Sequence, residues 1–595
     1  MGKRIPTEID KFLGLNDNDK NLNLKLGEAS VCNNFRITDD YKLEKIEGYD
    51  DLFDSLGVHD VKGTWYGKIS GTYYFLFACN GNIYTQDITD DAATPTSIGL
   101  VVDDITSFLG FGTAVYIING NQYYKWDNTG DIELVTGYIP LVFTATPPLG
   151  GGTANELNNL LTGKKHQTFS ADGTSTVYYI AESAVDSIDS VTVGGILYAE
   201  TVDYTVDLTL GTVDFSTAST PSIPTLGTNN IDIYWSKGVG SRDEVYENYY
   251  FQTFGGKNDT RVLVYGDGSN RYHYTGLANG VPSAEYFPST YYRDIGSSEY
   301  SITSLIRQYD TLVIFKENES WYSNYDPLED GDGNIVPDFP TYPLNDTKGN
   351  VAPGQVQLID NDPFSIMEGI YQWRSTQIRD ERNATYISDR VQDTLDDFTL
   401  SNAITVDWEK RAEYWLAIDN DIVAYNYRNN TFTTFTLAST PTSFIVVNDE
   451  MYFGTTLGQI MKFDTDELTF NGTAISASWE MGMYDVDAEW KLKYLNKVWI
   501  SLKPEARSEI DIYWETNRDG ISDTPITINY NLADFGNTDY SDYSFATNYN
   551  AQPFMKKLKA KKFVYFKLIL KSESTTDRAT VLSINFQPRI GGDSK

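Results

Sequence analysis

A pattern of apolar and polar positions recurs along the chain: an apolar strand, a tight polar turn, and a strand that ends in an aromatic residue near Asp or Asn. Clear copies begin at Tyr73, Ala114, Tyr414 and Met451, and weaker ones span 261–274 and 311–325. Gly, Asn and Asp at the turns supply the positive φ that two-residue hairpins need. The pattern therefore predicts a series of β-hairpins.

The spacing of the hairpins indicates how they are arranged. Asn82 and Asn121 lie 39 residues apart at the turns of two copies, and Asp421 and Gln459 lie 38 apart. Propeller blades repeat at about 40–45 residues. The alternative is an unrelated series of hairpins in a sandwich. We favour the propeller, because four copies share both the turn chemistry and the closing aromatic residue.

Two composition shifts interrupt this pattern. A Pro/Gly-rich stretch at 146–153 opens a run of short alternating strands, which predicts a small β-sandwich inserted at 147–240, with a short helix at 156–161. From Ser476 the strands lengthen, which predicts a C-terminal β-sandwich over 476–595. The prolines of 327–363 predict a long loop.

The predicted fold class is therefore all-β, a β-propeller with an inserted small β-sandwich and a C-terminal β-sandwich. The predicted domains follow in chain order. They are an N-terminal extended arm (1–49), the first part of the propeller (50–146), the insert (147–240), the second part of the propeller (241–475) and the C-terminal sandwich (476–595).

Composition narrows the function. With 83 acidic and 46 basic residues the net charge is −37, which argues against wrapping nucleic acid but suits an acidic wall that DNA slides past. Three His and two Cys leave little for His- or Cys-based catalysis or for zinc. Cys32 and Cys79 are predicted to be two reduced thiols, with one disulfide between them as the alternative. We expect no enzyme activity and no cofactor.

One acidic motif is a candidate metal site. Asp330, Asp332 and Asn334 place oxygen ligands at alternating positions, as calcium loops do. An EF-hand loop would then need Gly where Ile335 stands and Glu where Thr341 stands. We therefore favour the alternative of a plain acidic turn.

One segment is basic. Seven lysines lie between Lys556 and Lys571 with no acid among them. Three interpretations stay open: contact with nucleic acid, a solvated edge strand, or docking on an acidic face of a neighbouring subunit, which we favour. The lysines predicted to form this interface are Lys556, Lys557, Lys559, Lys561 and Lys562.

The chain offers no membrane anchor by sequence. No apolar run approaches the 18 or so residues that span a bilayer, and the start lacks the apolar region of a secretory signal. We therefore expect no membrane span.

The first fifty residues carry a resemblance to a known family. Phe12-Leu-Gly-Leu-Asn16, Leu26-Gly-Glu-Ala29, Asn33-Asn34-Phe35, Tyr41-Lys-Leu-Glu-Lys45 and Gly48-Tyr49 resemble the opening of tail hub, or nozzle, proteins of short-tailed bacteriophages, which include packaged-DNA stabilisation proteins. That family has Pro where Leu26 stands, Gly where Tyr41 stands, and Arg-Pro in place of Ile46-Glu47. The resemblance covers about a tenth of the chain.

The resemblance implies a structural role in the virion tail, in a particle assembled in the host cytoplasm. It implies a homo-oligomeric ring of six copies below the portal and adaptor proteins, near tail fibres or spikes, that extends the channel for genomic DNA. The ring would retain the packaged genome, take part in its ejection, and not bind DNA specifically.

The arm is too short to bury a core of its own, so we expect it to clamp against the propeller or a neighbouring subunit. The apolar interface residues predicted for it are Phe12, Leu13, Leu15, Leu26, Phe35 and Leu43. The alternative function is a carbohydrate-binding or carbohydrate-degrading tail protein or adhesin built on a β-propeller.

Overall fold

The computed structural model describes residues 4–90, 93–257, 259–329, 335–374, 383–532 and 550–593. Strands dominate this part of the chain, and the all-β propeller fold predicted from the sequence is confirmed. The helices of these residues are short. They are the α-helices Asp243–Tyr246 and Gln392–Asp396 and the 3₁₀ turns Asp389–Val391, Leu400–Asn402 and Glu409–Arg411.

Seven four-stranded antiparallel blades form the propeller among the described residues. The inner strands of neighbouring blades are in contact around the full circle, so the ring is closed. From blade 1 to blade 7 the inner strands are Val61–Ile69, Ser107–Phe111, Tyr250–Gly256, Ile302–Gln308, Gln357–Ile359, Ile404–Trp408 and Pro441–Val447. The second strands are Thr72–Cys79, Ala114–Ile118, Asp259–Tyr265, Thr311–Lys316, Asp362–Ile366, Glu413–Ile418 and Glu450–Thr455.

The third and outer strands complete each blade. The third strands are Asn82–Gln86, Tyr123–Trp126, Arg271–Tyr274, Ser320–Asn324, Ile370–Trp373, Asp421–Asn426 and Ile460–Asp464. The outer strands are Thr96–Leu100, Glu133–Leu134, Tyr292–Asp294, Thr341–Asn345, Ala384–Tyr386, Thr431–Thr436 and, in blade 7, Gly48–Asp51. Each of the six hairpins that the sequence pattern predicts lies in a different blade.

The turn between the second and third strands of blade 1 shows why the pattern recurs. Asn80 and Gly81 have φ angles of 50° and 65°. Two consecutive residues with positive φ form the type I′ turn whose twist matches a hairpin. Asn82, the turn position taken from the sequence, is instead the first residue of the third strand.

The closing Asp of the pattern ends the third strand. Asp87 Oδ1 accepts hydrogen bonds from the backbone N–H and the hydroxyl of Thr89, at 2.9 and 2.7 Å. Asp127 accepts the same pair from Thr129 in blade 2, at 3.0 and 2.6 Å. These hydrogen bonds lower the pKa of both carboxyl groups. The recurring acid is thus a turn-forming residue.

The N-terminal arm closes blade 7. Its strand Gly48–Asp51 pairs antiparallel with Ile460–Asp464, with Tyr49 opposite Phe463. The Tyr49 ring is fully buried and lies 4.9 Å from the Phe453 ring and 4.7 Å from the Phe470 ring, measured between centroids. A strand from the start of the chain therefore completes the last blade.

The arm also enters both sheets of the C-terminal sandwich. Its strand Glu28–Asn33 lies between Thr431–Thr436 of blade 6 and Ala477–Met481 of the sandwich. Blade 6 and one sandwich sheet are thereby parts of a single 11-stranded sheet. The arm predicted at 1–49 as an extended segment thus contains six short paired strands. They are Thr7–Ile9, Gly14–Leu15, Glu28–Asn33, Phe35–Ile37, Leu43–Lys45 and Gly48–Asp51.

The sandwich predicted at 476–595 is completed by the arm. Thr7–Ile9 and Leu43–Lys45 both pair with Thr580–Phe586, and the two sheets share a core with the arm. Its own strands are Ala477–Met481, Lys491–Leu502, Glu509–Thr516, Gly520–Ile521, Ile526–Asn529, Gln552–Phe563, Phe566–Ser572, Thr580–Phe586 and Arg589–Asp593.

The insert is a separate two-sheet sandwich with its own buried core around Phe169, Tyr178 and Trp235. Its strands are Leu141–Thr146, Thr153–Ala154, Lys164–Ala171, Val177–Tyr179, Ser187–Val193, Ile196–Tyr198, Thr205–Asp207, Thr212–Asp214 and Gly227–Ser236. The first strand begins before the predicted boundary at residue 147.

The helix predicted at 156–161 is wrong. Asn159 forms an isolated β-bridge with Pro288, and its side-chain amide donates to the carbonyls of Tyr138 and Glu285, both at 2.8 Å. Leu160 and Leu161 are buried in a propeller cluster rather than in the insert. These leucines therefore belong to the propeller although the predicted insert contained them.

The loop predicted at 327–363 is also partly wrong. The described part of it contains Leu328–Glu329, Ile335–Val336, Thr341–Asn345, Gln357–Ile359 and the start of Asp362–Ile366. Pro343 sits in the outer strand of blade 4, opposite Trp321. A proline is tolerated there because an edge strand leaves N–H groups unpaired.

Two further short hairpins are Leu277–Ala278 with Val281–Pro282 and Thr469–Phe470 with Thr473–Ala474.

Candidate functional site

A cavity of about 690 Å³ lies at the centre of the propeller, lined by residues from all seven blades. Aromatic side chains and neutral polar ones make up much of its wall, among them Phe108, Tyr250, Gln252, Gln357 and Phe444. Among the described residues that line it, Lys62 is the single charged one. Lys62 pairs with Asp60 at 2.8 Å, and that hydrogen bond raises the pKa of its ammonium group.

The polar groups of this wall are held in place. Gln357 Nε2 donates to the carbonyl of Thr405 at 3.1 Å. The Thr405 N–H donates to Gln355 Oε1 at 2.8 Å, which links blades 5 and 6. The cavity wall is therefore internally hydrogen-bonded, mostly uncharged and partly aromatic. It suits an uncharged polar ligand better than the acid–base chemistry that carboxyl groups would perform.

The lysine-rich segment forms an edge strand, Gln552–Phe563, at one end of a sandwich sheet. Lys557, Lys559 and Lys561 are exposed, and the intervening Leu558 and Ala560 are buried. This alternation puts the three lysines on the outer face of the sheet. We call this strand the lysine strand.

The five predicted interface lysines do not share one environment. Lys556 points away from the other lysines, and its ammonium group donates to the Thr527 carbonyl at 2.7 Å. Lys562 is exposed and has a φ of 55°, at a break in the strand register. Lys557, Lys559 and Lys561 make no ion pair within the part of the chain that the structure describes.

The predicted interface residues of the arm lie inside the chain. Phe12, Leu15, Phe35 and Leu43 are buried in one cluster shared with the C-terminal sandwich and with blades 5 and 6. Leu26 packs against the same cluster, and Leu13 is half-buried. Phe12 meets Trp479 edge-on, with 5.3 Å between ring centroids. The buried side chains among them hold the arm to the rest of the chain, and of the six predicted residues Leu13 and Leu26 keep part of their surface exposed.

A buried ion-pair cluster, which sequence analysis missed, joins the arm to blade 6. Arg36 lies between Glu47 of the arm and Glu413 of blade 6. Arg411 pairs with Glu47 at 3.0 Å, and Trp415 Nε1 donates to Glu413 at 2.9 Å. Nothing local in the sequence signals the cluster, because its members are brought together only by the fold.

The remaining candidates from the sequence are the acidic motif, the two cysteines and a membrane span. Asp330, Asp332 and Asn334 lie outside the described residues. No group of three or more His, Cys, Asp or Glu side chains elsewhere in the described chain is arranged to hold a metal ion. Cys32 and Cys79 are free, as predicted, and both are buried; burial raises the pKa of the Cys79 thiol to about 11. None of the helices in the described ranges is long and apolar enough to cross a membrane.

Charge is unevenly distributed along the chain. Residues 476–595 carry 16 acidic and 16 basic side chains, so the net charge of −37 belongs entirely to residues 1–475. The propeller, insert and arm are therefore strongly acidic. The C-terminal sandwich is neutral overall, and one of its outer faces is basic.

No protein-family model and no curated protein matches this chain. Solved structures similar to it include BamB from Moraxella catarrhalis (10% identity, 78% of this chain and 98% of that chain, TM-score 0.30) and the Dos1 propeller (10%, 71% and 96%, TM-score 0.34). An exo-beta-1,3-galactanase from Phanerochaete chrysosporium is also similar (8%, 81% and 95%, TM-score 0.16). The propeller follows from the strand pairing of this chain itself, and these similarities carry nothing further about its activity.

Proposed function

We propose that this chain is a structural protein of the virion tail of a short-tailed bacteriophage, and not an enzyme. Six copies form a ring-shaped nozzle below the portal and adaptor proteins and meet tail fibres or spikes. The ring extends the channel through which genomic DNA leaves, retains the packaged genome, and takes part in its ejection. The particle is assembled in the host cytoplasm.

The observation that carries this proposal is the position of the residues behind the family resemblance. Phe12 and Phe35 are buried where the arm, the propeller and the sandwich meet. Asn34 has a φ of 54°, and its side chain donates to the Ser476 carbonyl at 2.8 Å. Gly48 and Tyr49 begin the strand that closes blade 7. These residues of the resemblance therefore lie where the arm meets the propeller and the sandwich, as expected for residues that define a shared fold.

The charge distribution supports a channel role. An acidic wall repels phosphate groups, so DNA passes it with little adhesion. Residues 1–475 carry the whole net charge of −37, and they include the propeller. Propellers of neighbouring copies can pack side by side in a ring. Propellers leave only short, protected strand edges, so such packing does not lead to open sheet extension.

The central cavity favours a scaffold over a glycosidase. Glycosidases use two carboxyl groups that flank the scissile bond, typically about 5–10 Å apart. Lys62 is the single charged side chain among the described residues that line this cavity.

The same cavity favours one alternative, a carbohydrate-binding tail protein or adhesin. Neutral hydrogen-bonding groups and aromatic faces, such as Gln252 and Tyr250, are what a sugar ring contacts. Binding of host glycans measured by calorimetry, lost in Tyr250→Ala but kept in Tyr309→Ala at an exposed tyrosine outside the cavity, would favour this alternative.

Particles assembled without this protein separate the two functions. The nozzle proposal expects heads that package DNA and then lose it, measured as packaged DNA that becomes sensitive to added nuclease. The adhesin alternative expects particles that retain their DNA but no longer adsorb to host cells. DNA retention equal to that of the native particle would overturn the nozzle proposal.

A further inference from the structure

The outer face of the lysine strand continues onto its neighbour strand, Lys491–Leu502. Lys497 of that strand lies directly opposite Lys557 in the antiparallel register. Two residues along, Trp499 lies opposite Met555, which is 43% exposed. We call Lys497, Lys557, Lys559, Lys561 and the Met555–Trp499 pair the basic face.

The basic face contains charge repulsion that no ion pair within the described part of the chain relieves. Like charges directly opposite in a sheet repel each other and destabilise the pairing. Lys497, Lys557, Lys559 and Lys561 make no ion pair among the residues that the structure describes. An acidic partner seated on this face would remove the repulsion.

The composition of the face indicates a protein partner. A nucleic-acid phosphate backbone is bound by cations and polar groups. Here an exposed methionine and a half-buried tryptophan lie beside the lysines. Methionine and aromatic residues are enriched in protein–protein interfaces, where charged groups surround them.

A surface of opposite charge lies on blade 2, which we call the acidic edge. Asp127, Asp131 and Glu133 are exposed between and along the third and outer strands of this blade. None of the three forms an ion pair with another described residue. Lys125, which pairs with Glu285, lies opposite Glu133 in the register, so the edge carries three acidic groups against one basic group that already has a partner. The acidic edge is therefore opposite in charge to the basic face.

The two surfaces lie at opposite sides of the molecule. The C-terminal sandwich joins the propeller through blade 6, and its core extends to blade 5. Blade 2 lies across the ring of seven from blade 6. One copy therefore presents complementary surfaces at two separate places, as a head-to-tail contact requires, and such a contact forms a ring when the rotation between copies closes.

We propose that the basic face of one copy docks on the acidic edge of the next copy. This inference rests on the proposed ring and identifies the surfaces that form it. Charge complementarity guides the encounter and fixes the orientation, and contact with the next copy covers Met555 and Trp499.

Two charge-reversed variants test the contact. The first carries Lys557→Glu, Lys559→Glu and Lys561→Glu, and the second carries Asp131→Lys and Glu133→Lys. Asp127 stays in place in both, because it forms the turn with Thr129. Each variant alone has two surfaces of the same sign, so each should be monomeric at a concentration where the native chain forms rings. We expect the concentration for half-assembly, from light scattering at about 50 mM salt, to rise at least about tenfold. An equimolar mixture should assemble again, because each surface then meets its complement.

A control variant with Lys20→Glu, Lys257→Glu and Lys410→Glu has the same net charge as the first variant, with its changes at exposed lysines elsewhere. It should assemble like the native chain, and circular dichroism should show all three variants folded.

If both reversed variants still form rings like the native chain, or if their mixture stays monomeric, this inference is overturned and the ring proposal stands. A native chain that is monomeric at low salt would overturn the inference. Lysine-dependent binding of a labelled DNA duplex would also overturn it, since the occupant would then be nucleic acid.

Discussion

Arg36 in the arm and Glu413 in blade 6 form a buried two-point ion pair, although 377 residues separate them. Arg36 Nε donates to one carboxylate oxygen at 2.5 Å, and Nη2 donates to the other at 3.2 Å. Glu47 accepts from the remaining nitrogen. Burial acts to raise the pKa of Glu47, but the charges of Arg36 and Arg411 outweigh it and hold the pKa below its ordinary value.

Removing Arg36 should therefore destabilise the whole chain. Arg36→Met leaves Glu47 and Glu413 buried without their shared counter-charge, which should lower the free energy of unfolding by about 3–5 kcal/mol. Arg428→Met is the control, because Arg428 pairs with Asp39 at an exposed site, and a change below about 1 kcal/mol is expected. Urea unfolding followed by tryptophan fluorescence measures both. Equal effects of the two substitutions would contradict the structural role of the cluster.

Asp407 in blade 6 predicts a pH dependence of stability. Burial raises its pKa to about 6; the hydrogen bond from Tyr427 opposes this, and the charges of Glu409 and Asp360 add to it. Because the folded state holds this proton more tightly than the unfolded chain, the free energy of unfolding should fall as pH rises from about 4 to about 6.

Asp407→Asn removes that titration and should raise the melting temperature at pH 7 while leaving it nearly unchanged at pH 4. Asp310→Asn, at a fully exposed carboxyl group, controls for the loss of one charge. Thermal unfolding at both pH values measures the effect. A melting temperature that falls at pH 7 in Asp407→Asn would show that this carboxylate stabilises the fold, contrary to the expected sign.

Completion of blade 7 depends on Gly48. A Cβ atom at this position would collide with the backbone of Thr469, on the strand that runs beside it. Gly48→Ala should therefore displace the closing strand and lower stability by about 1–3 kcal/mol. Gly592→Ala, at a strand position with open space around it, should have no measurable effect. A normal melting temperature in Gly48→Ala would mean that blade 7 does not need this strand.

The insert should be removable at its true junction. Lys237 donates from its backbone N–H to the Gly163 carbonyl at 3.0 Å, so the two ends of the segment 164–237 lie side by side. A chain that joins Gly163 directly to Gly238, with Val142→Ser and Phe143→Ser to make the remaining strand polar, should keep a folded propeller. Deletion of 150–238 should not, because it also removes Leu160 and Leu161 from the propeller core. Equal folding of both deletions, measured by circular dichroism and thermal unfolding, would contradict this boundary.

Much of the propeller could be predicted from local sequence. Turns such as Asn80-Gly81 and closing acids such as Asp87 act through their own neighbours, so their chemistry is visible in a short window. The path at 156–161 could not be predicted, because the contacts of Asn159 with Tyr138 and Glu285 override the helical spacing of the leucines.

The candidate sites could be predicted less well, because they too depend on strand pairing and on contacts between residues that are distant in the sequence. Lys556 and Lys557 are adjacent in sequence, yet strand alternation ties one to Thr527 and exposes the other. The acidic edge and the Arg36–Glu413 pair depend on distant parts of the chain meeting. The excess of acidic residues is visible in the composition. The fold is needed to show that Lys557, Lys559 and Lys561 share one exposed face of the sandwich.

A cryo-EM reconstruction of the intact virion, calculated without imposed symmetry, tests the central proposal most directly. We expect six copies of this chain in a ring around the tail axis, directly below the adaptor, with acidic surfaces lining the DNA channel. We also expect Lys557 and Lys559 of one copy to lie against Asp131 and Glu133 of the next. A particle in which this chain occupies no axial ring, or occupies peripheral fibres alone, would contradict the proposed nozzle.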